Sequence, residues 1–177
     1  MDPVARMNFI VDVMNRKYGL QELLRAAQDP SLTPLQRNTA IMGIVVTDSA
    51  TSKDVPELLR IARNPAIDES PVVQAIACIG PGVAGQLIDL LGSQDARLVS
   101  IAVQSLGQLG AHASAALPEL KKLQAQSRRK GLSAIFGQSK LYKMLTATIR
   151  RIEKREGPGG LVQLARTGLG HEPKGWR

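Results

Sequence analysis

The feature that most constrains this chain is an internal repeat. Four short phrases line up along it: Gln21-Glu22-Leu23-Leu24, Pro56-Glu57-Leu58-Leu59, Gly85-Gln86-Leu87-Ile88 and Pro118-Glu119-Leu120-Lys121. Their reference leucines, Leu23, Leu58, Leu87 and Leu120, are separated by 35, 29 and 33 residues. Periods in this range mark stacked supersecondary units, each unable to bury its apolar face alone. Every phrase opens or sits within a run of helical apolar spacing, such as Leu87, Leu90 and Leu91, or Leu58, Leu59 and Ala62.

A second phrase follows the first three. Thr33, Ser70 and Asp95 are expected N-caps, because their side-chain oxygens can accept an unpaired first-turn N–H. Pro34 and Pro71 then fall at the first helical position, where proline loses no hydrogen bond. Seven residues past each cap comes Ala40, Ala77 or Ala102, and ten past it Gly43, Gly80 or Ser105. Small residues at fixed helical positions let a neighbouring helix approach closely. The unit is helix, short turn, capped helix, turn.

This register predicts an N-terminal capping helix over 3–16 and then helices over 20–28 and 34–47, 54–63 and 71–80, and 83–91 and 96–109. A fourth pair is expected over 114–127 and 140–155. The repeats thus run over about 20–47, 54–80, 83–109 and 114–155. The Gly157-Pro158-Gly159-Gly160 break closes a domain of residues 1–157. A tail of residues 158–177 follows, with room for a short helix.

Composition agrees. Aromatic residues are only 3% of the chain, which favours helices packed through small and aliphatic side chains over a β-sandwich. The fold class expected is all-α, a right-handed α-solenoid of about four hairpins. These residues resemble the HEAT-repeat family, an armadillo-type fold. The likeness is carried by Val55-Pro56-Glu57-Leu58-Leu59, by Leu117-Pro118-Glu119-Leu120, and by Asp95 to Gly110 with Ala102, Leu106 and Gly107. The family often places an Asp before the second helix and an Arg four residues later. Here those places hold Thr33, Ser70 and Asp95, and Arg37, Gln74 and Val99, so no Asp–Arg ladder is expected. The resemblance implies a scaffold or adaptor that binds a partner protein. Through the similar repeats of bilin lyases, it also implies an accessory subunit of such an enzyme.

Catalytic equipment is not expected, nor a cofactor. His112 and His171 are the only histidines, and neither has a metal-ligand neighbour at a working spacing. No phosphate loop, dinucleotide fingerprint or nucleophile elbow occurs, and Gly80-Pro81-Gly82 reads as a helix stop. Cys78, the single cysteine, lies in an apolar run and is expected as a buried thiol in a reducing compartment. The N-terminus lacks a signal peptide's basic start and apolar stretch. No segment reaches the ~20 apolar residues that span a bilayer. A cytoplasmic location is expected.

The net charge of +8 is concentrated late in the chain. Residues 1–110 carry two more acidic than basic side chains, whereas residues 111–177 carry ten more basic than acidic. Lys121 and Lys122 are followed by Arg128, Arg129 and Lys130, in a connection long enough to be functional. Apolar Phe136 lies beyond them, and Ser139 is a candidate cap. With Lys140 at 0° on a wheel of ~100° per residue, Leu141, Leu145, Thr148, Ile149 and Ile152 form a core face. Lys140, Lys143, Arg150, Arg151, Lys154 and Arg155 form the opposite face, interrupted by Met144, with Glu153 off the stripe. Such a stripe keeps a terminal repeat soluble. It also suits phosphate contacts with nucleic acid, an acidic protein partner, or an anionic membrane with Phe136 as anchor. Few aromatics argue against base stacking.

Overall fold

The computed structural model describes residues 3–127, 138–159 and 176, and its regular elements are helical, with no strand among the described residues. In chain order α1 spans Pro3–Met14, α2 Leu20–Gln28, α3 Pro34–Thr47, α4 Val55–Ala62 and α5 Glu69–Ile79. They are followed by α6 (Ala84–Leu90), α7 (Ala96–Leu109), α8 (Leu117–Ser127) and α9 (Gln138–Glu153). Short 3₁₀ turns, Ser52–Asp54, Pro81–Val83 and Gly110–Ala116, lead into α4, α6 and α8.

Side-chain caps mark the starts of α3 and α7. At α3 the Thr33 hydroxyl accepts the Gln36 amide at 3.3 Å, and the Gln36 side chain accepts the Thr33 amide at 3.0 Å. This reciprocal box satisfies two otherwise orphaned donors. Asp95 caps α7, accepting the amides of Arg97 and Leu98 at 3.0 and 3.3 Å.

The second repeat departs from the expected cap. α5 begins at Glu69, so Ser70 lies inside its first turn and Pro71 is the third helical residue rather than the first. Proline is still tolerated there, because first-turn N–H groups have no helical acceptor. Ser70 Oγ accepts Gln74 Nε2 at 3.1 Å instead of capping. The residue before the helix, Asp68, exchanges hydrogen bonds with Asn38: its carboxylate accepts Nδ2 at 2.8 Å, and its amide donates to Oδ1 at 3.0 Å. A bond to the preceding repeat thus stands where a local cap was expected. In the fourth pair α9 starts at Gln138, which puts Ser139 within the helix and not ahead of it.

Packing follows the repeat. α2 pairs with α3, α4 with α5, α6 with α7 and α8 with α9, while α1 lies against α3. The second helices also pack in order, α3 on α5, α5 on α7 and α7 on α9. Leu23, Leu58, Leu87 and Leu120, the four reference leucines, are all buried. Burying each contributes roughly 1.5–3 kcal/mol. They belong to one apolar core that runs from Val13 to Ile152.

Ala40, Ala77 and Ala102 are fully buried in α3, α5 and α7, as their spacing predicts. The residues three further on serve different ends. A Cβ on Gly43 would stand 2.6 Å from Val13 Cγ1 and 2.9 Å from Leu23 Cδ2, so its missing side chain admits both α1 and α2. Gly80 has φ +100°, and the chain turns by 108° between Glu69–Ile79 and Pro81–Leu90. Ser105 is buried.

Beyond α9 the backbone folds back across the third hairpin. Ala111 N donates to Glu156 O at 2.9 Å, and Gly159 N donates to Gln108 O at 2.8 Å. Trp176 packs against the core, and its Nε1 donates to Ala77 O at 3.1 Å. That carbonyl also accepts Gly80 N at 3.1 Å, while Pro81, four residues on, has no N–H to offer it. No single helix among the described residues is long and apolar enough to cross a bilayer.

Candidate binding groove

The expected core face of α9 is buried as the wheel predicts. Leu141, Leu145, Thr148, Ile149 and Ile152 all point inward. Thr148 resolves the one polar member of that face, donating its hydroxyl to Val103 O on α7 at 3.2 Å. A Cβ on Gly107 would lie 2.9 Å from Thr148 Oγ1, so α7 and α9 cross closely at this pair.

The candidate basic residues divide into three sets. Lys121 bridges from α8 to Glu153 of α9 at 2.7 Å, and Gln124 Nε2 donates to Thr146 Oγ1 at 2.8 Å beside it. Lys122 pairs with Glu119 on its own helix at 3.1 Å. Both lysines are exposed, and such pairs contribute under about 1 kcal/mol each. Lys121 therefore orients α8 on α9, and Glu153, off the basic stripe, is its partner.

The second set faces α7. Lys143, Arg150 and Arg151 line an open groove of about 630 Å³ between α7 and α9. Gln104, Gly107 and Gln108 of α7 form its other wall, with Met144, Ala147 and Glu156 also on its lining. Arg151 is half-buried, with Nη2 donating to Gly157 O at 3.2 Å. Its Nε is buried without a hydrogen-bond partner, as is Gln108 Oε1. Lys140 lines a smaller recess of about 240 Å³ along the same two helices, together with Glu69, Arg97 and Ser100. Met144, the apolar interruption of the stripe, is shared by both.

Polar contacts organise the α7 wall. Glu69 Oε2 accepts Ser100 Oγ at 2.7 Å and Gln104 Nε2 at 3.0 Å, linking α5 to α7. Arg97 donates to the carbonyls of Ala62 and Ile67, which draws the start of α7 onto the α4–α5 turn.

The third set lies past the helix. Lys154 and Arg155 are exposed, and Arg155 adopts φ +51°. Arg155 N donates to Ile152 O at 3.0 Å and Glu156 N to Arg151 O at 3.1 Å. This is the paired closure of a Schellman motif, with arginine where glycine is usual. Arg128, Arg129, Lys130 and Phe136 lie outside the described residues.

Sequence reasoning missed Gln104, Gly107 and Gln108. Their relation to the stripe depends on α7 meeting α9, and their own helix carries no charge pattern that announces it. Cys78 is buried, and burial, reinforced by the Asp48 carboxylate, pushes its thiol up to about 12. It is held protonated and is no nucleophile at neutral pH. Among the described residues no group of three or more His, Cys, Asp or Glu side chains could hold a metal ion. Compared with protein-family models, with curated proteins and with solved structures, the chain matches none.

Proposed function

We propose that this protein is a non-catalytic scaffold: a right-handed α-solenoid of HEAT-like hairpins that binds a partner protein in the cytoplasm. The observation that carries this reading is the α3–α5–α7–α9 layer, with each second helix packed on the next and an open groove at its last pair. Stacked hairpins present extended surfaces of this kind, and pockets between helices are common ligand seats. Capture of partners from a lysate, with and without nuclease, tests it. A protein partner retained after nuclease treatment supports the scaffold, and loss of all captured material overturns it.

A second reading, nucleic-acid binding, is favoured by one feature. Lys140, Lys143, Arg150, Lys154 and Arg155 are exposed along α9 and its end, and none forms an ion pair among the described residues. Contacts of this type go to phosphates and release counterions, so binding would weaken steeply with salt. Equal retention on nucleic acid at low and high salt would dispose of this reading.

A further inference from the structure

We infer that the α7–α9 groove takes an extended acidic peptide segment of the partner, an inference that rests on the scaffold reading above. Charge comes first. Lys143, Arg150 and Arg151 bring three cations to one groove, and none has a carboxylate partner among the described residues. An anionic ligand complements that rim.

Arg151 lines the groove, and a carboxylate can take its guanidinium in charge-assisted hydrogen bonds, which are the strong ones.

The distribution of negative charge points the same way. Glu156 lines the larger groove and Glu69 the smaller recess. A nucleic-acid strand carries a charge at every nucleotide and would have to pass them. A peptide can set single carboxylates beside Lys143 and Arg151 and uncharged residues beside the glutamates. Half-buried Met144, between the two grooves, offers an apolar side chain a contact. Tyr142 is the one aromatic residue on either lining, a poor platform for stacking successive bases.

Selection of a phage-displayed random peptide library against the immobilised full chain tests the inference. The expected winners carry Asp or Glu, and replacing those residues by Asn or Gln in the synthetic peptide weakens binding about tenfold or more. Lys143→Gln and Arg151→Gln weaken it comparably, with helical circular dichroism unchanged, while Lys122→Gln on the outer surface of α8 leaves it intact. Lys143 is exposed, so its variant remains informative even if Arg151→Gln perturbs the turn at Gly157. No enrichment, winners without acidic residues, or equal losses with Lys122→Gln would each overturn the assignment. Nuclease-resistant capture of a protein partner that survives Lys143→Gln and Arg151→Gln would overturn it too, while leaving the scaffold reading standing.

Discussion

Two residues show how local environment sets behaviour here. Cys78 is a buried α5 member of the apolar core, and the loss of water disfavours its thiolate. Ellman's reagent should leave it unmodified at pH 8 in the folded chain and titrate one thiol after denaturation. A full thiol titre under native conditions would contradict its burial. The linked pH effect has a definite sign. The folded thiol is pushed up to about 12 from the 9.0 of a solvated thiol, so the unfolded chain releases its proton first. This contribution to stability is complete below about pH 9 and is lost as pH rises toward 12, which denaturant titrations across that range can measure. Arg155 is a different case. A non-glycine residue at φ +51° carries a steric cost, so Arg155→Gly should raise stability by about 0.5–1 kcal/mol. A fall in the urea midpoint would show that its side chain contributes more than its backbone costs. Arg16, at φ +58°, closes α1 with the same bond pattern, Arg16 N to Val13 O and Lys17 N to Asp12 O, both at 3.0 Å.

At the scale of elements, helix contact distance decides what a glycine does. Gly43 and Gly85 both lie in helices, and replacing a helical glycine by alanine gains up to about 1 kcal/mol of propensity. At Gly85, in α6, nothing lies within 4 Å of a new Cβ, so Gly85→Ala should stabilise by about 0.5 kcal/mol. At Gly43 the same methyl collides with Val13 and Leu23, and overpacking at about 1–3 kcal/mol outweighs the gain. Urea unfolding of the two variants should therefore give shifts of opposite sign. Shifts of the same sign would mean that α1 moves aside freely and is not part of the cooperative unit. Exposed ion pairs matter less at this scale. The Lys121–Glu153 pair orients α8 on α9, but the shared burial of Leu120, Leu123, Leu145 and Ile149 holds them together.

For the whole molecule, the return of residue 176 to the middle of the chain is a long-range constraint. Trp176 is the sole tryptophan, bonded to the Ala77 carbonyl and set edge-on to His112 with centroids 5.0 Å apart. Its fluorescence therefore reports on the meeting of α5, the turn before α8 and the C-terminal residues at once. Trp176→Phe keeps an aromatic ring and removes the indole donor, so it should cost about 1 kcal/mol. Thermal unfolding of the wild type followed by tryptophan emission and by helical circular dichroism should coincide, as expected of one cooperative core. An emission change well below the helical transition would mean that this contact opens separately.

Repeat spacing, helical period and turn residues determined a great deal. They placed α2, α3 and α7 at their observed bounds and picked the buried face of α9, because period and capping are local properties of a chain. Small residues at fixed places marked where helices approach. The local rules misplaced the start of α5, which begins at Glu69 behind an Asp68 held by Asn38 of the preceding repeat, so that Ser70 falls inside the first turn. Packing alone decided the fate of the basic stripe. It set Lys121 against Glu153 and gathered Lys143, Arg150 and Arg151 opposite Gln104 and Gln108. A charge pattern states which side of a helix avoids the core. Which neighbour that side faces depends on contacts between residues some forty positions apart, and these exist only once the hairpins have stacked.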